Sequence, residues 1–197
     1  MKKNSYIQYN FWKYILVFLI PLIVWSVIYS DIDKLKYDEV INVLYIGDTL
    51  NAEELEKELN AALPSLTNQQ IKSVFVTRVG GASENVEEYL RNKIYSTDIV
   101  IIQKGLEKDY DVVGIFSPLT VLLKNSISND KYYLLDGKEY GFLLDENSRF
   151  SKYCEGNIHI ALFSPYSYSI SSAYGYGEEK NDGAIKIMEY INETIQN

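Results

Sequence analysis

The chain has 197 residues, of which 47% are hydrophobic, and a formal net charge of −8 at pH 7. This composition is that of a folded protein with enough residues to bury a core without disulfide or metal support. An acidic chain repels phosphate backbones, which argues against nucleic acid as a partner. There is one cysteine, Cys154, and one histidine, His159. An intrachain disulfide is therefore excluded, no metal-ligand spacing exists, and we expect no cofactor and a small, buried Cys154.

The first thirty residues have the composition of a membrane anchor. Three lysines, Lys2, Lys3 and Lys13, precede an uncharged and mostly aliphatic run over residues 14–30. About 20 helical residues cross the hydrocarbon layer of a bilayer, and residues 11–30 reach that length. Aromatic residues near both ends of the run suit the headgroup regions. We therefore expect residues 11–30 to lie in the lipid bilayer.

Two other interpretations compete with the anchor, namely a cleaved signal peptide and a buried core helix. The lysines suit a signal peptide, but residues 26–30 lack a small-x-small cleavage pattern. Basic residues before the span predict a cytoplasmic N-terminus and an extracellular C-terminal domain in a single-pass protein of the cell membrane. The predicted organisation is a cytoplasmic tail and transmembrane signal-anchor over residues 1–30, a juxtamembrane spacer over 31–40, and an extracytoplasmic domain over 41–197.

The extracytoplasmic body begins with an apolar strand and a capped helix. Residues 41–46, INVLYI, are nearly all apolar, which is typical of a strand covered on both faces. Asn51 and Glu54 have the spacing of an N-cap residue and its N3 partner. A helix is predicted over residues 52–63, and Pro64 is expected to end it. The predicted inward face holds Leu55, Leu59, Ala62 and Leu63.

The next segments alternate between strand and helix. Residues 72–79, KSVFVTRV, predict a second strand that ends at Gly80-Gly81, which we interpret as a simple turn rather than an anion site. Ser83 predicts the start of a helix that runs to about residue 95. Residues 97–103, TDIVIIQ, predict a third strand. This alternation with short links indicates parallel strands joined by right-handed crossovers.

A less regular part follows the third strand. Pro118 favours a short helix over residues 117–126. Asp136-Gly137 is a hairpin turn signal between two predicted strands, over residues 131–135 and 139–144.

The chain ends with one more strand and one more helix. Residues 158–163, IHIALF, predict the strand, and residues 182–195 predict an amphipathic helix. The apolar residues available to pack in this helix are Ile185, Ile187, Met188, Ile191 and Ile195. The predicted fold class is α/β, a three-layer, mostly parallel sheet flanked by helices and preceded by one N-terminal transmembrane helix.

No catalytic constellation is evident, so we expect a binding protein rather than an enzyme. The sequence contains no G-x-S-x-G, no H-E-x-x-H and no P-loop pattern. His159 lies within a predicted strand, and we interpret it as a core or edge histidine. The acids Glu107, Asp109 and Asp111 are interpreted as a solvated loop rather than as a paired-carboxylate site.

Tyrosines are concentrated near the C-terminal helix. Residues 164–179, SPYSYSISSAYGYGEE, alternate tyrosines with small polar residues. A tyrosine offers a flat apolar face and a hydroxyl group, which suit sugars, peptides and protein surfaces. A surface loop whose tyrosines cover the body or meet another chain is the simpler interpretation, and a sugar or peptide site is the other.

The order of segments over about residues 41–196 resembles the first lobe of the extracellular solute-binding proteins of ABC importers, the type II periplasmic-binding-protein fold. That family begins with a strand, a Glu- and Leu-rich helix ending near a proline, and a second strand, here INVLYIG, NAEELEKELNAALP and KSVFVTRVGG. A helix similar to SENVEEYLRNKIYS follows, and then a strand with an Asp at its start, here Asp98. The final NDGAIKIMEYINETI resembles the closing helix of the family.

The segment DGKEYGFLLD resembles the family pattern DGK-x-YG-x-P, which lies where the chain enters the interlobe crossing. It matches at Asp136, Gly137, Lys138, Tyr140 and Gly141, and it departs at Leu143, where the family usually has proline. After Asp145 the family builds a second lobe, whereas here only residues 146–157 precede the next strand. The resemblance therefore implies a single lobe whose partner lobe is missing.

Such a lobe would bind its ligand at the carboxyl ends of the parallel strands. The resemblance places the candidate ligand-binding residues there, namely Asp48, Arg78 and Gln103, with Tyr140 nearby. The same positions could instead face another protein.

Two hypotheses for the function follow from the anchor and the resemblance. The first is a membrane-anchored extracytoplasmic solute-binding-like domain that is associated with an ABC-type transporter or with solute sensing. Its partners would be an ABC permease or another membrane protein, and a small solute such as a sugar or a peptide. The alternative is a protein-interaction subunit of a membrane complex that binds no small ligand.

Overall fold

The computed structural model describes residues 15–17, 19–24, 35, 39–67, 71–80, 96–109, 116, 118–119, 132–154, 158–163 and 177–194. The chain divides into two units, Met1–Lys36 and Tyr37–Asn197. In the first unit, residues 15–17 and 19–24 are helical, and the other residues of the predicted 11–30 span lie outside the described ones. Within the described part of the chain, no helix has the length and apolar character needed to cross a membrane.

The second unit begins with strand β1 (Val40–Ile46) and helix α1 (Ala52–Leu66). The predicted cap of α1 is confirmed. The backbone N–H of Glu54 donates to Asn51 Oδ1 over 3.3 Å, and Asn51 Nδ2 donates to Glu54 Oε2 over 2.8 Å. This exchange satisfies a backbone donor at the helix start that has no partner within the helix. Leu55, Leu59 and Leu63 are buried as predicted, while Ala62 is half-buried.

The prediction that Pro64 ends this helix is wrong. Pro64 lies inside α1, which continues to Leu66. A proline in the last turns of a helix removes its own donor and crowds the carbonyl four residues earlier, but its fixed φ is compatible with helical backbone, so the helix can continue past it. The backbone N–H of Thr67 still donates to the carbonyl of Leu63 over 3.0 Å, which closes the last turn.

The remaining regular elements complete an α/β unit. They are β2 (Ser73–Val79), β3 (Ile99–Gln103), β4 (Tyr132–Leu135), β5 (Lys138–Leu144), β6 (His159–Phe163) and α2 (Gly177–Asn192). Two short 3₁₀ helices, Leu106–Asp109 and Arg149–Tyr153, follow β3 and β5.

The six strands among the described residues form one mixed sheet in the order β2-β1-β3-β6-β5-β4. β1 pairs in parallel with both β2 and β3, which confirms the predicted parallel arrangement of the first three strands. The pairs β3–β6, β5–β6 and β4–β5 are antiparallel. The sheet is therefore mixed rather than mostly parallel, because β6 runs against the strands on both sides of it.

The predicted hairpin is confirmed, with Asp136-Gly137 as a two-residue turn between β4 and β5. Both residues have positive φ, 50° for Asp136 and 74° for Gly137. Two-residue hairpin turns of this hand match the twist of the flanking strands, and Asp-Gly suits them because both tolerate left-handed backbone.

One face of the sheet packs against the two described helices, α1 and α2. Its apolar core joins side chains of the strands to Leu55, Leu59 and Leu63 of α1 and to Ile187, Met188 and Ile191 of α2. The other face carries a second cluster that includes Phe116 and, at its margin, Leu106. The helix predicted over residues 83–95 lies outside the described residues. Only Pro118 and Leu119 of the helix predicted over 117–126 are described, and most of the tyrosine-rich segment is not.

The last helix begins five residues before its predicted start at residue 182. Gly183 lies within α2. A Cβ atom there would lie 2.9 Å from a side-chain carbon of Ile71 and 3.2 Å from one of Ile41. The helix therefore approaches the sheet closely at this point, and glycine supplies the space. Ile185, Ile187, Met188 and Ile191 are buried as predicted, and Ile195 lies outside the described residues.

Candidate functional site

The carboxyl ends of β1, β2 and β3 meet at one edge of the sheet, because the three strands are parallel. Ile46 at the end of β1 pairs with Val79 on one side and with Ile102 on the other. The loop Gly47–Asn51 leaves β1 at this edge and leads into α1. Three of the four predicted ligand-binding residues lie here, namely Asp48, Arg78 and Gln103.

The side chain of Arg78 binds the loop that follows β1. Its two terminal nitrogens donate to the carbonyls of Asp48, over 2.8 Å, and of Leu50, over 3.4 Å. The first is a good charge-assisted hydrogen bond and the second is longer and weaker. The guanidinium thus holds the loop against β2 through backbone atoms.

Gln103 and Asp48 meet on the other side of the loop. The backbone N–H of Asp48 points at Gln103 Oε1 over 3.5 Å, which is at the outer limit of a hydrogen bond. The side chain of Asp48 is exposed, and Gln103 is half-buried. The structure therefore brings these residues together around the loop, and Asp48 and Arg78 are both exposed.

Tyr140 does not lie at this edge. It is 4% exposed and belongs to the cluster on the second face of the sheet. The register of β4 and β5 explains this position, because Leu134 pairs with Glu139 and Tyr133 with Gly141, so that Tyr140 has no opposite residue. A bulge of this kind redirects a side chain. Tyr140 is four residues from Leu144, or roughly 13 Å along the strand from the row that holds Gln103.

A buried polar chain that the sequence did not predict lies beside the same edge. The hydroxyl of Tyr45 lies 3.1 Å from Nε2 of His159, and Nδ1 of His159 lies 3.6 Å from Sγ of Cys154. Tyr45 and His159 are fully buried and Cys154 is 9% exposed, which confirms that His159 is a core residue and Cys154 a buried one. The ring of Phe150 packs edge-on against His159 at 5.1 Å.

Burial keeps Tyr45 and Cys154, the two side chains on either side of His159, neutral. It raises the pKa of Tyr45 to about 12, and it raises the pKa of the Cys154 thiol to about 12. The distance between Cys154 and His159 would suit a nucleophile and its base, but a thiol that stays protonated is not a nucleophile at neutral pH. The three side chains therefore form a buried polar part of the core beside the site.

Tyr45 also explains the glycine that follows β1. A Cβ atom on Gly47 would lie 2.5 Å from the Tyr45 hydroxyl oxygen. The loop consequently passes directly over the buried tyrosine. In the sequence, this contact is signalled only by Tyr45 and Gly47 at the end of an apolar strand. The hydrogen-bond partner of Tyr45, His159, is distant in sequence.

The connection between β5 and β6 packs onto the same edge. The backbone N–H of Asn51 donates to the carbonyl of Tyr153 over 2.9 Å, and Leu50 forms an isolated antiparallel bridge with Cys154. This connection therefore lies against the loop after β1, at the edge where the candidate residues meet.

The acids after β3, Glu107, Asp109 and Asp111, were predicted to lie in a solvated loop, and Glu107 departs from this prediction. This residue is 9% exposed rather than solvated, and its carboxylate accepts a hydrogen bond from the backbone N–H of Gly105. The side chain of Asp109 and the whole of Asp111 lie outside the described residues. Among the described residues, no group of His, Cys, Asp and Glu side chains could hold a metal ion.

Comparisons with known proteins found a partial likeness in solved structures. No protein-family model matches the chain, and no curated protein matches it. An ABC substrate-binding protein from Listeria monocytogenes, solved with cycloalternan, aligns over 54% of this chain and 29% of its own, with 18% identity and a TM-score of 0.38. The N-glycan transport solute-binding protein of Streptococcus pneumoniae aligns over 55% of this chain and 26% of its own, with 17% identity and a TM-score of 0.37. The chain thus spans less than a third of the length of either protein.

Proposed function

We propose that residues 37–197 form a single lobe of solute-binding-protein type, held at the outer face of the cell membrane by an N-terminal anchor. The lobe would work with an ABC-type transporter or in solute sensing, and its ligand would be a small solute such as a sugar or a peptide. The edge that carries Asp48, Arg78 and Gln103 is the proposed binding surface, because exposed polar groups at carboxyl ends of parallel strands suit a ligand.

The observation that carries the single-lobe proposal is the connection between β5 and β6. In the family that the sequence resembles, the second lobe is built between these strands. Here β5 and β6 are sheet neighbours, and the connection is packed into the lobe itself, with Phe150 1% and Tyr153 6% exposed. Arg149 donates to Glu193 over 2.8 Å and lies 4.1 Å above the ring of Tyr190. These contacts support a single lobe, because they make the connection part of the same packed unit as the sheet and α2.

The N-terminal helical residues support the anchor. Every large apolar side chain described among residues 16–24 is exposed by 46% or more, namely Leu16, Val17, Leu19, Ile20, Leu22, Ile23 and Val24. An apolar patch of this density is rare on the surface of a soluble protein and suits contact with lipid. The lysines before it suit a cytoplasmic N-terminus.

Calorimetric titration of the full chain in detergent micelles tests solute binding. Oligosaccharides, short peptides and amino acids are titrated in turn, and one class is expected to give a saturable heat. Asp48→Asn should weaken that binding, whereas Asp182→Asn, at an exposed position of α2, should leave it unchanged. Absence of heat from every class would reject the solute-binding part of the proposal.

The anchor and its orientation have a separate test. The chain is expected to remain in the membrane fraction after an alkaline carbonate wash, and protease added to intact cells should degrade the body. Release by the wash, or a body that is protected in intact cells and degraded only after lysis, would reject this part.

A protein-interaction subunit is the second candidate, and one observation favours it. At the proposed binding edge, the guanidinium of Arg78 and the side-chain amide of Gln103 contact the backbone of Asp48 in the loop after β1. These groups are thus already used within the protein rather than directed at a solute. If no solute gives heat and a defined membrane protein co-purifies in fixed proportion, this second function replaces the first.

A further inference from the structure

The outer edge of β2 is covered by two side chains of α1. Among the described strands, β2 lies at one end of the sheet. The backbone N–H of Val74 donates to Asn60 Oδ1 over 2.9 Å, and Asn60 Nδ2 donates to the carbonyl of Val74 over 2.8 Å. A residue of a neighbouring antiparallel strand would exchange the same pair of bonds with Val74. Asn60 therefore occupies the position of a seventh strand.

Glu56 extends this cover by one more backbone group. Its Oε2 accepts from the N–H of Val76 over 2.8 Å. Glu56 and Asn60 are four residues apart on a helix, a rise of about 6 Å, and Val74 and Val76 are two apart on a strand, a rise of about 6.6 Å. The two spacings nearly coincide, so one helical turn can satisfy alternate residues of an edge strand.

Asn60 is held in this position by further contacts. Its Nδ2 also donates to the carbonyl of Glu56 over 2.8 Å, and the hydroxyl of Ser73 lies 3.4 Å from its Oδ1. An asparagine inside a helix usually lowers helix stability. Its presence at this position is explained by the edge that it binds.

The strand beneath is of a type that pairs readily with another strand. SVFVTRV is rich in β-branched and aromatic residues, contains no proline and carries a single charge, and Phe75 is 45% exposed. Exposed edge strands of this composition add to other chains unless they are blocked.

We propose that β2 is a latent self-association surface, and that Asn60 and Glu56 keep it from pairing with β2 of a second copy of this chain. The sequence favours a second copy as the occupant. In an antiparallel pair centred on Val76, Arg78 lies opposite Val74 of the second copy, so the one charge of the strand meets no like charge. The inference is independent of the proposed function.

The test replaces Asn60 by alanine, which removes both the hydrogen-bonding groups and the volume that covers the edge. Sedimentation of the full chain in micelles measures the apparent dimerisation constant of Asn60→Ala against the parent. We expect association to tighten by roughly ten-fold or more, because the backbone groups of Val74 then meet protein partners only in a dimer. Phe75→Lys added to Asn60→Ala should restore the parent behaviour, because a charge on an edge strand opposes pairing.

Two further variants separate this effect from general loss of stability. Leu59→Ala opens a cavity in the core and leaves Asn60 and Glu56 in place, so it should destabilise without dimerising. Val76→Cys in the Asn60→Ala background should form a disulfide-linked dimer on oxidation. Association of Leu59→Ala equal to that of Asn60→Ala, an unchanged constant for Asn60→Ala, or a dimer that does not cross-link at residue 76 would each overturn the proposal.

Discussion

Substitution of Gly141 by alanine is expected to strain the pairing of β5 with β6. An added Cβ atom would lie 2.1 Å from the backbone oxygen of Ala161 and 3.0 Å from a side-chain carbon of Leu162. Gly141 pairs with Leu162 in the ladder, so the close contact lies between two neighbouring strands in the middle of the sheet. The backbone oxygen cannot rotate away as a side chain could.

The size of the effect follows from this geometry. Contacts below 3.0 Å are essentially never made by Cβ atoms, so the distance must grow from 2.1 Å to at least 3.0 Å. Overpacking costs about 1–3 kcal/mol, and a clash with fixed backbone belongs at the upper end, about 3 kcal/mol. For a domain of this size, 1 kcal/mol corresponds to about 2–4 °C in Tm, so a loss of about 6–12 °C is expected.

Thermal unfolding followed by circular dichroism measures this loss. Gly80→Ala is the matched control, because a Cβ atom at Gly80 would have no atom within 4 Å and its φ is not positive. That control should change Tm little or raise it slightly, since alanine restricts the unfolded chain. A Tm for Gly141→Ala within about 2 °C of the parent would refute the reasoning.

Three other substitutions test separate contacts. Asn51→Ala removes the cap of α1 and should lower the free energy of unfolding by about 1 kcal/mol in urea titrations, whereas Asn51→Asp should be nearly neutral. Lys180→Met leaves the carboxylate of Asp98, 2% exposed and 3.0 Å from the lysine nitrogen, without this cation, and should cost about 3–5 kcal/mol. Adding Asp98→Asn should recover part of that loss. A double variant whose destabilisation equals the sum of the two single effects would contradict an interaction between Lys180 and Asp98. Burial raises the pKa of Tyr45 to about 12 from about 10, so the unfolded chain ionises first and stability should fall between about pH 10 and 12. Tyr45→Phe should reduce this fall. If the urea midpoint of the variant depends on pH as strongly as that of the parent, the attribution to Tyr45 is wrong.

The regular elements could be predicted where local chemistry decides them. β1 and β3 are apolar runs flanked by polar residues, and the turn Asp136-Gly137 selects its hairpin by backbone preference alone. The cap at Asn51 depends on residues three positions apart, so the sequence displays it directly. Each of these features involves neighbours along the chain.

Features that depend on residues distant in sequence were not predictable in the same way. The direction of β6 is set by its two neighbours in the sheet, and an apolar run is equally compatible with either direction. Tyr140 matches a family pattern in the sequence, but a bulge in β5 turns it into the core on the second face. Arg78 lies near the carboxyl end of β2 as its strand pattern predicts, yet its hydrogen bonds to the carbonyls of Asp48 and Leu50 depend on the path of a loop 28 to 30 residues away.

The connection between β5 and β6 determines whether a single lobe is a reasonable functional unit. If these residues were only the remnant of a lost lobe, they would be exposed and would contribute little to stability. Phe150 and Tyr153 are buried instead, and full burial of one large apolar side chain is worth about 1.5–3 kcal/mol. Since native domains are stable by only about 5–15 kcal/mol, this connection supplies a substantial share of the stability of the domain. Under the proposed single-lobe function, a solute bound at Asp48 would meet an edge whose shape is fixed within the domain, and binding would require no closure of a second lobe.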